Sequence, residues 1–488
     1  MRLVQTLILS LTIGMLAGCA VGPDYRRPDA PTSTEYTAAP QADSGTDGQT
    51  QRLVRSMDIP GQWWTLFRSA PLDALIDDAL KHNPDVEAAR AALQVAQENA
   101  YAERGAYFPS VSAGFNPTRQ KNAGDVASAL TSDANLYSLT TAQVSVSYAP
   151  DLWGGTRRQV ESALAQAQAQ RFQLEATYLT LTSNLVNAAI EEASLRAQID
   201  TTLQMIEMQT TVLTTLRRQQ ALGDVDEATV AAQVTVLEET RQALPPLRKQ
   251  LNQQRDLLAA LTGRMPDERI DAQFELDGLQ LPAELPLSLP AQLVEQRPDV
   301  RASEAELHAA SAAIGVAIAD RLPNVQLDAS LGSASERTSS LFTAGTGFWS
   351  IGAGVTQPLF DAGALKHKQR AAEAGYRQAA AQYRSTVIAA AQNVADVLHA
   401  IQADAQALAA AERAERAAMR SLQIARKQLA LGDISQSSLL IAELAWRQAG
   451  LTLIQARAAR FADTVALFQA LGGGWWNRAE GRPEGERS

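Results

Sequence analysis

Two groups of residues in this chain have types and spacing that could do chemistry. The first is a nucleophile. Cys19, the only cysteine among 488 residues, follows Leu16-Ala17-Gly18 at the end of an apolar run from Leu3, with Arg2 before it. A short basic start, an apolar stretch too short to span as a mature helix, and small residues at a cleavage point are the parts of a signal peptide. The second group is acidic: Asp224, Asp226 and Glu227 follow Leu222-Gly223, while Asp433 and Glu443 follow Leu431-Gly432. Like charges gathered at a narrow opening attract cations. The same acids at exposed helix starts simply favour the helix dipole, and both readings stand.

The tetrapeptide ending in Cys19 resembles a bacterial lipobox. The resemblance implies cleavage before Cys19 and lipid attached to its sulfur, and Ala20, standing where an aspartate would retain the protein inside, favours the outer membrane. The alternative is an ordinary signal peptide with an incidental cysteine. A single cysteine leaves no disulfide to form even where disulfides are allowed.

Other chemistries find no support. The chain has no P-loop, HExxH, GxSxG or paired-cysteine pattern. Gly345-Thr346-Gly347 and Gly352-Ala353-Gly354 lack a following helix with a phosphate-binding lysine, and His82, His308, His367 and His399 have no metal-ligand spacing. A net charge of −10 without a Lys/Arg block argues against nucleic acid. The expectation is no enzyme, no metal and no cofactor beyond a covalent lipid on Cys19.

The elements that must position these residues are long. Residues 156–221 contain neither proline nor glycine, and apolar residues recur at helical spacing through Leu174, Tyr178, Leu181 and Leu185, then Leu195, Ile199, Leu203 and Ile206. One helix of that length reaches about 99 Å, and its apolar seam needs another helix. Residues 364–430 repeat the feature with only Gly375 to weaken it.

Internal repetition decides the architecture. Asn83-Pro84-Asp85-Val86 recurs as Arg297-Pro298-Asp299-Val300, Phe108-Pro109 as Leu322-Pro323, Ala221-Leu222-Gly223-Asp224 as Ala430-Leu431-Gly432-Asp433, and Ala260-Leu261 before Gly263 as Ala470-Leu471 before Gly473. The order is kept, so the chain is a tandem duplication. Each half reads as a helix starting at the proline of the P-D-V motif, two strands, a long helix, and a returning helix. The returning segments, 225–261 and 434–471, begin just after each Leu-Gly-Asp, where glycine can close a helix in the left-handed conformation. Pro245-Pro246 is expected to bend or break the first of them.

The strands, expected at 109–117, 140–150, 323–331 and 348–358, alternate strictly. Val111, Ala113 and Phe115 alternate with serine and glycine, as do Trp349, Ile351, Ala353 and Val355 with small or polar residues. Their length suits a tilted crossing of a bilayer; a soluble sandwich is the alternative, but no second sheet is in view to cover the apolar face. Four strands cannot close a barrel, and open edges are not tolerated in lipid. Two chains would give eight strands, and three would give twelve with room for water. The breaker-rich elbows Pro150 to Gly155 and Pro358 to Gly363 then feed the long helices.

Together these pieces resemble the TolC-type outer-membrane factors, more closely their NodT/OprM-like efflux lipoproteins. The residues that carry the resemblance are Cys19 followed by Gly22-Pro23-Asp24-Tyr25, then Trp63-Trp64, Phe67, Leu72, Leu75-Ile76, Ala79-Leu80, Asn83 to Val86, the two Leu-Gly-Asp tips and Leu471 to Trp475. The resemblance implies an α+β membrane protein whose homotrimer forms a 12-stranded β-barrel continuous with a long α-helical tunnel across the periplasm. It implies a periplasmic adaptor docking on Leu222, Gly223, Asp224, Leu431, Gly432 and Asp433, an inner-membrane efflux pump, and a passive gated duct in the outer membrane. The family often places a gate aspartate nine residues after the second tip glycine; that position is Ile441, leaving Asp226, Glu227, Asp433 and Glu443 as candidates.

The expected division is a signal peptide at 1–18, an N-terminal lipidated segment and equatorial region at 19–62, and a first repeat at 63–263. A Pro-rich linker at 264–296, a second repeat at 297–474 and a polar tail at 475–488 follow. The linker, the segment before Trp63 and the tail would form a belt around the tunnel. Rival readings are a structural or adaptor coiled-coil lipoprotein of the periplasm, and an exit duct for protein secretion.

Overall fold

The computed structural model describes residues 20–37, 51–55, 57–123, 135–268 and 270–478. Cys19, the signal peptide at 1–18 and the tail beyond 478 lie outside these. The chain divides into two compact units. One comprises residues 1–27, 93–170 and 303–383, and the other 28–92, 171–302 and 384–488.

In chain order the described elements are β1 (Arg52–Arg55), α1 (Ala70–His82), α2 (Pro84–Arg104), β2 (Ser110–Lys121), β3 (Leu136–Tyr148), α3 (Gly155–Leu222) and α4 (Glu227–Leu261). Then follow β4 (Glu284–Leu287), α5 (Pro290–Gln296), α6 (Pro298–Ala319), β5 (Asn324–Ser335), β6 (Gly347–Thr356), α7 (Ala364–Leu431) and α8 (Gln436–Ala470). The two long helices have 68 residues each and the two returning helices 35 each. Four elements were not foreseen: α1, α5, and the short strands β1 and β4.

The first unit holds the sheet β2-β3-β5-β6, antiparallel throughout. Its strands start and stop differently from the sequence expectation: β3 begins four residues early and ends two early, and β2 passes through Pro117 to reach Lys121, four residues late. A proline lacks the N–H of a ladder, and Pro117 lies on β2, which within a single chain pairs only with β3. Asp151 and Asp361 close the two elbows alike. Asp151 accepts from the Thr156 and Arg157 amides at 3.1 and 2.9 Å, and Asp361 from those of Gly363 and Leu365 at 2.8 and 2.7 Å. Each carboxylate thereby satisfies amides that a helix start leaves unpaired.

The second unit is built on an aromatic core. Trp63 stacks on Phe468 with ring centroids 5.2 Å apart and meets Phe67 edge-on at 6.3 Å, and Phe67 lies 6.1 Å from Phe461. All four are buried. In this unit β1 pairs with β4 in parallel, Arg52 opposite Glu284. The start of the presumed polar tail also packs: Trp475 sits edge-on to Phe172 and its Nε1 donates to the Gln296 carbonyl at 2.7 Å.

The duplication is visible in hydrogen bonds. Asn83 Nδ2 donates to the carbonyl of Leu261 at 2.9 Å, and Arg297 Nη1 donates to that of Ala470 at 3.0 Å. A Cβ on Gly263 would fall 2.3 Å from the His82 carbonyl oxygen, and one on Gly472 would fall 2.3 Å from that of Gln296. Gly263 therefore corresponds to Gly472, not to Gly473, a one-residue correction. The offset at this landmark becomes 209, the same as at the tips. Of the bend or break expected at Pro245-Pro246, the break does not occur, since α4 runs through both. The carbonyls of Arg241 and Gln242, which lose their bonds to the two prolines, are on exposed residues, where they are open to solvent.

Candidate functional site

The sheet of the first unit carries a continuous apolar face because its register aligns apolar residues across every ladder. Val111 pairs with Val146, Val146 with Ala329 and Ala329 with Ile351. One step along, Ala113, Val144, Leu331 and Trp349 form the next row. A slip of one residue in any strand would bring serine into these rows. Trp349, Ile351 and Val355 are 72%, 79% and 69% exposed, so none of the described residues covers this part of the face.

The opposite face is polar and small. Ser112, Ser145, Ser330 and Ser350 align in one row, and Ser330 and Ser350 share a hydroxyl hydrogen bond at 2.8 Å. In the next row Ser147 donates to Asp328 at 2.9 Å. A sheet with an uncovered apolar face, a hydroxyl-lined face and two open edges, β2 and β6, matches the wall of a water-filled barrel in a bilayer.

The segment that follows Cys19 is held within this unit, although Cys19 itself lies outside the described residues. The Val21 amide donates to the Trp153 carbonyl at 2.9 Å, and Arg158 donates to Asp24 at 2.7 Å and to Glu161 at 2.8 Å. Tyr25 stacks on His308, and His308 meets Glu161 at 2.8 Å. The motif Gly22 to Tyr25 is thus fixed next to the elbow that leaves β3.

The two Leu-Gly-Asp tips, in the second unit, share one geometry. Gly223 and Gly432 have φ of 84° and 80°, a conformation that favours glycine. The Asp224 amide donates to the Gln219 carbonyl and that of Gly223 to Gln220; Asp433 and Gly432 do the same to Gln428 and Leu429. This is the Schellman closure. Leu222 and Leu431 are 78% and 76% exposed, which leaves an apolar residue at each turn. Below the turns Val212, Leu213, Leu216, Val230 and Leu237 pack with Leu440, so Leu440 ties the second hairpin to the first.

The candidate acids separate in role. Asp226 caps α4: its Oδ1 accepts from the Thr229 amide at 2.9 Å and hydroxyl at 2.6 Å. The Thr229 hydrogen bonds hold its carboxyl below the usual aspartate range. Glu227 lies in the first turn of α4, where it favours the helix dipole. Ser435 plays the capping role in the second hairpin, accepting from the Ser438 amide at 3.2 Å. Glu443 meets Arg426 across that hairpin at 3.4 Å. Asp224 and Asp433 are exposed at the turns, and Ile441 is 68% exposed. Sequence reasoning missed Arg426, whose only signal is a position about two helical turns before Gly432 on a facing helix. It also missed the Glu415 carboxylate that accepts from Trp446 Nε1 at 2.6 Å.

The cap has a measurable consequence. Because the charged form of Asp226 makes the bond and its pKa is lowered, the stabilisation is present at neutral pH and is lost as pH falls through that lowered value. In Asp226→Ala the amide of Thr229 is expected to exchange with deuterium faster at neutral pH, with the amides of α8 unchanged. Equal protection of Thr229 in both proteins would remove the capping role.

These features match known proteins along nearly the whole chain. The model of the family described as outer membrane efflux protein matches residues 75–264 and 289–473. The pyoverdine export outer membrane protein OpmQ of Pseudomonas aeruginosa is 28% identical over 455 residues, 93% of this chain and 93% of that one. The toluene efflux pump outer membrane protein TtgC of Pseudomonas putida is 28% identical over 476 residues, 97% of this chain and 96% of that one. The solved outer-membrane channel OprN superposes with a TM-score of 0.81 at 27% identity, covering 94% of this chain and 100% of that chain. A duplicated strand–helix unit, an uncovered apolar sheet face and this family match lead to one conclusion: the chain belongs to the outer membrane efflux protein family and is an outer-membrane efflux channel.

Proposed function

We propose that three copies of the chain join the β6 edge of one sheet to the β2 edge of the next. The result is a 12-stranded barrel that opens into a helical tunnel and works as a passive duct with no catalysis of its own. The observation that carries this reading is the sheet with one uncovered apolar face, one hydroxyl-lined face and two unpaired edges, since open edges are not stable in lipid. Cys19 carries a covalent lipid that holds the assembly to the outer membrane. Cargo and energy come from an inner-membrane pump through a periplasmic adaptor that docks on Leu222, Gly223, Asp224, Leu431, Gly432 and Asp433. The exposed leucines supply apolar contact there, and the flanking aspartates supply charge. A structural lipoprotein or an adaptor has no use for a four-stranded amphipathic sheet. A duct for secreted proteins would share it.

Relatives are named for pyoverdine and toluene, so small molecules are the cargo class proposed here. The test is single-channel recording of the purified, lipidated protein in planar bilayers, with its mass measured alongside. A trimer with small, discrete conductance steps is expected. A protein that leaves the bilayer silent would overturn the duct.

The acids near the mouth set its selectivity and closure. Asp433→Ala is expected to lower the preference for cations. Glu443→Ala, which frees Arg426, is expected to raise the open probability. If both channels conduct like the parent, these acids are solvated charges at the helix ends and have no gating role.

A further inference from the structure

The second unit contains a cavity of about 980 Å3 bounded by α3, α4 and α8. Its shape follows from side-chain size. On α8 the wall is Ala458, Ala459, Ala462 and Ala466, which withdraw from the space that larger residues would fill. On α3 a polar stripe, Asn184, Asn187, Glu191, Ser194 and Gln198, spaced three and four residues apart and therefore on one helix face, lies beside the apolar Ala188, Ile190 and Leu195. Gln250 and Gln254 face it from α4, and Gln455 from α8 donates to Gln198 at 3.1 Å.

Its charge is one-sided. Glu191 and Asp463 line the cavity, and no lysine or arginine does so among the described residues. Two acceptor atoms of residues at this wall, Asn187 Oδ1 and Asp463 Oδ2, are buried without a donor from the protein, although the Asp463 carboxyl also shares a hydrogen bond with that of Asp404. Buried acceptors without partners are costly and call for a donor. Burial, and then the neighbouring Asp404 on α7, push the Asp463 carboxyl up to about 7, while Arg460 on α8 pulls the other way. Arg460 is itself buried and donates to the Ile401 carbonyl.

We infer that this cavity binds an organic cation bearing several N–H donors, such as a polyamine, with Asp463 and Glu191 as its charge partners and the amides of Asn187 and Gln254 as its polar wall. The volume suits a molecule of drug size. Unpartnered acceptors and net negative charge select donors and a cation over an anion or a hydrocarbon. The site deepens the duct reading, because it gives that duct a preference for amine cargo, and it rests on that reading only for its route of access.

Spermidine binding to the purified full-length protein by titration calorimetry tests the inference directly. Saturable binding is expected at pH 8. It should weaken about tenfold at pH 6, because the fraction of Asp463 ionised falls from about nine-tenths to about one-tenth across a pKa of about 7. On the other walls Glu191 lies exposed on α3, and α4 presents only Gln250, Gln254 and Leu257 to the cavity. Asp463→Asn should bind about tenfold more weakly at pH 8 and lose the pH dependence, and Glu191→Gln, at an exposed position on α3, should bind several-fold more weakly. No saturable binding, or variants that bind like the parent, would overturn the site, including the case in which a neighbouring copy fills the cavity. Planar-bilayer recording separates this from the duct. Current without spermidine binding keeps the duct and removes the site, whereas binding without current keeps the site and removes the duct.

Discussion

Ile351→Arg will prevent the chain from assembling in a membrane, while Ser350→Arg, one residue earlier, will still assemble. The reason is the two-residue period of the strand. Ile351 lies in the apolar row opposite Ala329 and is 79% exposed, whereas Ser350 lies opposite Ser330 on the hydroxyl face. Arginine facing lipid near the bilayer midplane costs about 2–4 kcal/mol in a membrane barrel, and little where the side chain meets water. In a trimer the cost is incurred in each of the three copies. Insertion into liposomes, followed by protease protection and by the mobility of the unheated protein in gels, reads the outcome. Equal insertion of the two variants would mean that the apolar face does not meet lipid, and the barrel reading would fall with it.

Trp63→Ala will cost about 3–5 kcal/mol, the range for removing a large aromatic side chain from a packed core. Trp63 is 1% exposed and stacks on Phe468, and it meets Trp64 and Phe67 edge-on. A Cβ on Gly473 would come within 3.4 Å of Trp63 Nε1, so the ring joins segments from the start, the returning helix and the end of the chain. Phe468 and Gly473 are close in sequence, but Trp63 is far from both, and no local structure replaces the lost contacts. Chemical denaturation followed by near-ultraviolet circular dichroism should show a clear fall in the midpoint for Trp63→Ala. Trp349→Ala, at a ring 72% exposed on the sheet, should leave that transition in place. Matching midpoints for Trp63→Ala and the parent would show that this core does not govern the stability of the unit.

Much of the fold was legible in the sequence because its signals are local and repeated. Long stretches free of breakers gave the helices, and period-two alternation gave the four sheet strands. The repeated P-D-V and Leu-Gly-Asp motifs gave the duplication. The family follows from the same residues. Segments without a local period were hidden. β1 and β4 have four residues each, one of them Pro286, and they become strands only by pairing with each other across more than two hundred residues. α5 is seven residues long, too short for an apolar face to repeat.

The candidate acids were legible as charges and not as roles. Five of them cluster at the two tips in sequence, yet Asp226 is committed to the Thr229 amide and Glu443 to Arg426. The alignment of Gly263 with Gly472 shows the same limit, since a glycine triplet in sequence offers three registers and only the close approach of the Gln296 carbonyl selects one. The sequence alone determined which segments are rods, which are amphipathic strands and that they occur twice, because those properties depend on neighbours within a few residues. Tertiary structure decided which carboxylates are already paired, which apolar rows align across strands and where three helices leave a cavity. Those outcomes depend on distances between residues far apart in the chain, and no local pattern encodes them.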